Sequence, residues 1–176
     1  MPGPSPGMTT WVVLGIGNCV RGDDAVGRMV ARLLRPHVPV GVRILEQDGE
    51  ATELVTDLQG VRHAWLIDAA QSGATPGTIH RIDCSNTDAV LPRGSLSSHG
   101  FGVAEAIALA RALGTLPPYC IVYAIEAEQF TPGAAPSPAV TRAAHEVAER
   151  ILAELLTPPP PSARRRPHPV PAPDRR

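Results

Sequence analysis

The sequence predicts an α/β protein, a three-layer α/β/α sandwich around a largely parallel five-stranded sheet. Short continuous apolar runs, bounded by turn residues, are typical of strands that are buried on both faces. Segments with apolar residues at helical spacing lie between most of these runs. Strands that alternate with helices favour a parallel sheet that is covered by helices on both sides.

The strands are predicted in the order in which the apolar runs occur. The run 64–68 is very apolar up to Asp68, and the run 78–83 is less apolar and is therefore placed near an edge of the sheet. The five predicted strands are residues 11–14, 42–47, 64–68, 78–83 and 120–125.

The helices follow from the 3.6-residue period. The first begins near Val26 and ends before Pro36, and Gly114 closes the third. Thr52 is a plausible N-cap for the second. The predicted helices span residues 26–35, 52–58, 103–113 and 138–156.

One domain, residues 11–156, accounts for all of these elements. Residues 1–10 are rich in Pro and Gly and are expected to form a flexible N-terminus without the features of a signal peptide. Residues 157–176 hold eight Pro and five Arg, which predicts a disordered tail. The tail either docks an acidic partner or is a passive solvated extension, and we favour the extension.

Charge and cysteine content restrict the possible partners. The tail has a net charge of +4, whereas the whole chain has a net charge of −1. The rest of the chain is therefore mildly acidic, which argues against a nucleic-acid surface. No window is apolar enough to span a membrane. Three widely spaced cysteines (Cys19, Cys84 and Cys120) indicate a reducing compartment. We expect a cytoplasmic monomer.

A glycine-rich turn after the first strand is followed by two carboxylates, Asp23 and Asp24. Gly15 and Gly17 allow a sharp turn and a close backbone approach. Acidic residues are favoured at helix N-termini, so one of the two is interpreted as a cap, and we choose Asp23. Asp24 then stays available for metal binding or for acid–base chemistry.

Asp68 and His99 extend this pattern. Asp68 ends the apolar run 64–68 and should emerge at the same sheet edge as Asp24. A charged group at such a position is costly to bury unless it is paired or metal-bound, although a structural Asp bonded to loop amides is the competing interpretation. His99 is followed by Gly100 and Gly102 at a helix start. Two carboxylates and one imidazole suit a first-row divalent metal with open coordination positions.

Other chemistries fit the sequence less well. The spacing after Gly17 matches neither G-x-G-x-x-G nor a Walker loop, and the chain contains no Lys. Cys19 could be a nucleophile served by His99, but a small apolar filler is the simpler interpretation. Ser97 and Ser98 lack the G-x-S-x-G context of a serine hydrolase.

With these residues in place, residues 11–156 resemble the NiFe-hydrogenase maturation proteases. The family pattern consists of a G-x-G-N turn with D-D/E-x-x-G, a D-G turn, an I-D-A segment, S-x-H-x-x-G at a helix start, and a late G/A-I-E. The matching residues are Gly15, Gly17, Asn18, Asp23, Asp24, Gly27, Asp48, Gly49, Ile67, Asp68, Ala69, Ser97, His99, Gly102, Ala124, Ile125 and Glu126. Glu50 departs from the pattern, because members often have a second Gly there.

The resemblance implies a phosphorylase/hydrolase-like α/β fold and an endopeptidase. Its substrate would be the precursor of the hydrogenase large subunit, from which a short C-terminal extension is removed after nickel insertion. Asp24, Asp68 and His99 would contact this substrate-borne nickel and carry catalysis, with no permanent metal in the protein. Asp48, Gly49 and Glu50 would bind substrate. Either carboxylate could activate a water, or the metal could polarise the scissile carbonyl.

Two alternatives from other classes stay open. The first is a nonproteolytic, nickel-dependent chaperone of the large subunit, which would use the same residues but leave the precursor at full length. The second is a nucleoside- or nucleotide-binding α/β enzyme that uses the Gly15–Gly17 loop.

Overall fold

A computed structural model describes residues 11–85 and 102–157 of the chain. They form a five-stranded sheet in the order β2-β1-β3-β5-β4, in which only β4 is antiparallel to its neighbour. The strands are β1 (Trp11–Ile16), β2 (Val42–Gln47), β3 (His63–Ala70), β4 (Ile79–Asp83) and β5 (Tyr119–Glu126). The helices are α1 (Val26–Leu34), α2 (Ala51–Leu58), α3 (Gly102–Ala112) and α4 (Pro138–Leu156).

The sheet is covered on both faces, so the three-layer prediction is confirmed. Alternate strand residues point to opposite sides. Leu14 and Leu66 pack in a core with α2 and α3, whereas Val13, Trp65 and Ile67 pack in a second core with α1 and α4. Every residue of β3 and β5 is buried, because helices cover these central strands on both sides.

The strand order reverses at β1. The chain leaves β1 toward β2 on one side and returns to β3 on the other, so the carboxyl ends of β1 and β3 form a topological switch point. The pairing of these two strands ends at Gly15 and Ile67, and β3 continues beside β5 alone. α/β proteins usually bind ligands in the crevice outside such a switch point, which lies beside Asp68 in this chain.

The opposite, amino end of the sheet carries most of the aromatic side chains. The ring of His63 stacks on Trp11 at a centroid distance of 4.8 Å, and the rings of Trp65 and Tyr119 lie 5.4 Å apart. Glu154 of α4 joins this cluster to the helix layer. Its carboxylate accepts hydrogen bonds from Trp65 Nε1 at 2.7 Å, Tyr123 Oη at 2.7 Å, Tyr119 Oη at 3.2 Å and Arg81 Nε at 2.9 Å.

All nine regular elements occur where the sequence predicts them, with shifts of one or two residues at most ends. β3 extends two residues beyond Asp68, because Ala69 and Ala70 still pair with β5. The edge position of β4 is confirmed. The predicted flexible N-terminus, and the predicted tail beyond Thr157, lie outside the described residues. In the described part of the chain, no helix combines the length and the hydrophobicity needed to cross a membrane.

Candidate active site

Glycines bring the first helix against the carboxyl ends of β1 and β3. A Cβ on Gly27 would stand 2.2 Å from both the Ile16 and the Ile67 carbonyl oxygens, so only glycine allows this approach. Gly17 has φ +133° and would place a Cβ 1.8 Å from the Asp24 carbonyl oxygen. These glycines therefore pack backbone on backbone and position the segment that carries Asp24, as the sequence predicts.

Asp24 lies in a 3₁₀ turn, Gly22–Ala25, between β1 and α1. Its side chain is fully buried. Oδ2 accepts one long hydrogen bond from the Asn18 amide at 3.3 Å, and Oδ1 is buried without a hydrogen-bond partner among the described residues. A buried carboxylate oxygen without a donor is costly, and such atoms in native proteins mark functional sites or absent ligands.

Asp68 lies on β3, whose residues contact the 3₁₀ turn that carries Asp24. It is only 2% exposed, and its Oδ1 accepts a hydrogen bond from the Ala69 amide at 2.8 Å. Because strand residues alternate, Asp68 faces the same side as Leu66 and Ala70, the side of α2 and α3. Two buried carboxylates thus lie on elements that contact each other at the switch point.

The prediction that Asp23 caps the first helix is wrong. The 3₁₀ turn moves the cap position of α1 to Ala25, and no side chain caps that helix. Asp23 instead accepts three backbone hydrogen bonds from the segment between β5 and α4: from Glu128 at 3.0 Å, Gln129 at 3.1 Å and Ser137 at 2.5 Å. It therefore ties this distant segment to the turn that carries Asp24.

The turn Asp48-Gly49-Glu50 lies at the same sheet edge, directly after β2. Arg28 of α1 donates to the Gly17 carbonyl at 2.6 Å and also to the Asp48 carboxylate, so it links this turn to the glycine-rich turn. Asp48 is 86% exposed despite this ion pair. No sequence pattern indicates a role for Arg28, because only the fold brings it to both turns.

Glu50 caps α2, so the prediction that Thr52 is the cap is wrong. The Glu50 carboxylate accepts from the Thr52 hydroxyl and from the Glu53 amide, the latter at 3.1 Å. These hydrogen bonds, the Thr52 hydroxyl first, lower the pKa of Glu50. Glu50, which stands where family members often have a second glycine, thus has a structural role as the cap of α2.

Helix α3 begins against the same turn. A Cβ on Gly102 would stand 1.9 Å from the Gly49 carbonyl oxygen. The final glycine of S-x-H-x-x-G therefore lets α3 start directly on the Asp48–Gly49 turn. Ser97 and His99, the other members of that motif, lie outside the described residues. Within 11–85 and 102–157 no group of three or more His, Cys, Asp or Glu side chains could hold a metal ion.

Glu126 is a further buried carboxylate at this edge. It is the last residue of the A-I-E motif, and the resemblance assigns it no role. It lies at the end of β5, is 2% exposed, and accepts hydrogen bonds from Ser72 Oγ and the Gly73 amide, both at 2.8 Å. His80 Nε2 is 3.6 Å from the same carboxylate. Glu126 therefore holds the loop that follows β3 and is not free for catalysis.

The three cysteines are free thiols in different environments. Cys84 and Cys120 are buried, and burial raises the pKa of Cys84 to about 11 and that of Cys120 further. Cys19 is exposed, so the interpretation of Cys19 as an apolar filler is wrong.

Comparison with known proteins gives one consistent family. The family model described as "HycI: Hydrogenase maturation protease" matches residues 27–154. The Hydrogenase 2 maturation protease of Escherichia coli K12 is 28% identical over 147 residues, which is 82% of this chain and 89% of that protein. The hydrogenase expression/formation protein HupD of Rhodobacter capsulatus is 32% identical over 108 residues, 60% of this chain and 51% of that protein.

The solved structures agree on the fold. The hydrogenase maturating endopeptidase HybD from E. coli superposes with a TM-score of 0.69 at 25% identity, covering 83% of this chain and 91% of HybD. The maturation protease HycI from Thermococcus kodakarensis superposes with a TM-score of 0.66 at 24% identity, covering 86% and 95%. The matched region spans about half of two of the curated relatives, both named HupD. The resemblance derived from the motifs is confirmed, and the chain belongs to the hydrogenase maturation protease family.

Proposed function

We propose that this protein is an endopeptidase that removes the C-terminal extension of a NiFe-hydrogenase large-subunit precursor after nickel insertion. It recognises the nickel while the metal is held by the substrate. The observation that carries this proposal is the buried Asp24 carboxylate, whose Oδ1 lacks a hydrogen-bond donor among the described residues. A substrate-borne cation would supply the missing partner.

Asp24, Asp68 and His99 are the proposed contacts to this nickel. Asp24 and Asp68 lie on elements that touch each other at the switch point. His99 precedes Gly102 by three residues, and three residues of extended chain span at most roughly 11 Å. Because Gly102 packs on Gly49 at the same sheet edge, this short connection supports our proposal that His99 acts at the crevice.

In this mechanism the protein contributes positioning and a base. The nickel anchors the precursor, so the peptide bond downstream of it is held against the crevice and hydrolysis gains from proximity. A carboxylate takes the proton of the attacking water. Asp24 is the better candidate for this base, since Asp68 Oδ1 already accepts from the Ala69 amide. Polarisation of the carbonyl by the substrate's nickel is the alternative route.

Substrate contact is proposed for Asp48, Gly49 and Glu50. Asp48 is exposed next to the crevice, with its position fixed by Arg28. Gly49 lies between β1 and α3, and a Cβ on this residue would stand 3.1 Å from Ile16 Cγ2. We propose that a peptide bound along this turn meets the exposed Asp48 carboxylate, whereas Glu50 holds the turn through its hydrogen bonds to α2.

The test is incubation of the protein with nickel-loaded and nickel-free precursor, followed by mass spectrometry of the product. We expect the loaded precursor to lose its extension and the nickel-free precursor to stay intact. Equal cleavage of both would reject nickel recognition. A stable complex with uncleaved, nickel-loaded precursor would favour the chaperone alternative.

A second test addresses His99. The variant His99→Ala should abolish cleavage, and the matched control His145→Ala, at an exposed position of α4, should retain it. Full activity of His99→Ala would remove this residue from the site.

The nucleotide-binding alternative meets an electrostatic obstacle. The amide of Asn18, in the glycine-rich turn where a phosphate would bind, already donates to the Asp24 carboxylate. A phosphate there would have to replace this hydrogen bond beside a buried carboxylate, and the cation at this turn, Arg28, already pairs with Asp48. We therefore keep the protease as the proposal, acting as a monomer in the cytoplasm, in accord with its three free thiols.

A further inference from the structure

Two loops at the carboxyl edge are fastened together beside Asp24. The first loop, residues 18–21, follows β1, and the second, residues 128–133, follows β5. The Asp23 amide donates to the Gln129 carbonyl at 2.9 Å, and the Gly133 amide donates to the Val20 carbonyl at 2.7 Å. We call these two segments the paired loops.

Asp23 makes the pairing rigid. Its buried carboxylate accepts the amides of Glu128, Gln129 and Ser137, which are charge-assisted hydrogen bonds and thus among the stronger ones in proteins. Gly22 packs so closely that a Cβ there would stand 2.9 Å from the Gln129 carbonyl oxygen. Surface loops are ordinarily the more mobile parts of a protein, and these are held at several points.

The outer surface of the paired loops is exposed and mostly uncharged. Val20 is 59% exposed, and Cys19, Thr131, Pro132 and Gly133 are exposed around it. The other large apolar side chains that are exposed in the described part of the chain lie elsewhere. The three at the amino end of the sheet are Val40, Leu113 and Leu156. The fourth, on the outer face of α3, is Leu109. Among residues 11–85 and 102–157, Val20 is the exposed large apolar side chain at the edge that carries the candidate site.

We propose that the paired loops are the docking surface for the large-subunit precursor. Docking there places the scissile segment of the precursor over Asp24. This inference rests on the proposed function. The surface continues directly into the crevice, since Asn18 at the base of the first loop donates to Asp24 Oδ2. A rigid surface loses little conformational entropy on binding, and interface centres are poor in charged side chains. The occupant is therefore a folded protein with an apolar patch beside its cleavage site.

Substitution of Val20 tests the proposal with a matched control. Val20→Glu places a charge at the centre of the surface, whereas Val40→Glu makes the same change at an exposed valine at the other end of the sheet. Both variants should fold like the wild type. Binding of nickel-free precursor, which is not expected to be cleaved, is measured by biolayer interferometry. We expect Val20→Glu to weaken binding by about tenfold or more and Val40→Glu to bind as the wild type does.

Labelling of Cys19 gives a second test without substitution at Val20. Cys19 is the exposed thiol, whereas Cys84 and Cys120 are buried with raised pKa values, so a maleimide should label Cys19 selectively. Saturating precursor should slow this labelling by about tenfold or more. The labelling is measured as the increase in mass of this chain. The variant Cys19→Ser controls for labelling elsewhere.

The outcomes separate this inference from the proposed function. Equal binding by Val20→Glu and the wild type, together with unprotected Cys19, would overturn the docking surface even if the wild type cleaves the precursor. Weakened binding by Val20→Glu would support it even if no cleavage is observed. If the wild type neither binds nor cleaves the precursor, both proposals fail.

Discussion

Asp23 and Asp24 are consecutive, fully buried carboxylates with opposite hydrogen-bond environments. Asp23 accepts three backbone amides from a segment more than a hundred residues away in sequence, whereas Asp24 accepts one long hydrogen bond and has an unpartnered Oδ1 among the described residues. Neighbouring residues of the same type therefore have separate tasks. Asp23 stabilises the structure, whereas Asp24 is buried at a cost that its single hydrogen bond with the described residues does not offset.

Asp24→Asn should abolish cleavage while stabilising the fold. Neutralising a buried carboxylate that has so few donors should raise the free energy of unfolding by about 1 kcal/mol. Cleavage of nickel-loaded precursor should fall by at least about 100-fold, because the variant would lack the proposed base and nickel contact. Urea denaturation and a cleavage assay measure the two effects. A variant that is less stable than the wild type would show that Asp24 is a structural residue.

Asp23→Asn should have the opposite effect on stability. An asparagine side chain can accept hydrogen bonds from only some of the three backbone amides that Asp23 binds. Its NH₂ group would face the remaining amides. We expect a loss of about 3 kcal/mol in the free energy of unfolding, measured by the same urea experiment. An unchanged unfolding midpoint would contradict the tethering role that we assign to Asp23.

The N-cap role of Glu50 can be tested by comparing two substitutions. Glu50→Ala should lower the melting temperature, because the Glu53 amide loses its acceptor. Glu50→Gly should lower it by less, since glycine is itself a favourable N-cap residue. Differential scanning calorimetry should therefore rank the wild type first, the glycine variant second and the alanine variant last. Equal melting temperatures for all three proteins would contradict the cap.

His63 should make stability depend on pH. Burial, with a smaller contribution from Arg62, lowers the pKa of His63 below its usual 6.5. As the pH falls below about 6.5, the unfolded chain takes up a proton at this residue before the folded chain does. Stability that is present above pH 6.5 is therefore lost on acidification toward the lower, folded-state pKa.

His63→Phe should reduce this loss, because phenylalanine keeps the stacking on Trp11 and does not titrate. Urea unfolding at pH 7.5, 6.5 and 5.5 should show a smaller decrease for the variant than for the wild type. His145→Phe, at an exposed position, is the control and should keep the wild-type dependence. If His63→Phe and the wild type lose stability equally, another group is responsible.

The elements of the fold were predictable because each has a strong periodic signal. The run 64–68 could only be a central strand, and residues 138–156 matched α4 at both ends. The 3₁₀ turn Gly22–Ala25 was not predicted, because four residues have no period to detect. This short turn includes Asp23 and separates it from the start of α1 at Val26, and for that reason the cap assigned to Asp23 was wrong.

Side-chain partners were less predictable than positions. The motifs placed Asp24 and Asp68 at one sheet edge, which the fold confirms. No local pattern could connect Asp23 with Glu128 and Ser137, or Arg28 with Asp48, since these contacts depend on how distant segments return to the same edge. The assignment of His99 to the site stays a prediction.

The aromatic cluster at the amino end has a spectroscopic consequence. Both tryptophans of the chain, Trp11 and Trp65, lie there, at the opposite end of the sheet from Asp24. Their fluorescence should therefore follow loss of the packed core and remain insensitive to what binds at the crevice. Intrinsic emission thus provides an optical record of global unfolding, and a probe attached at Cys19 would report separately on the functional edge.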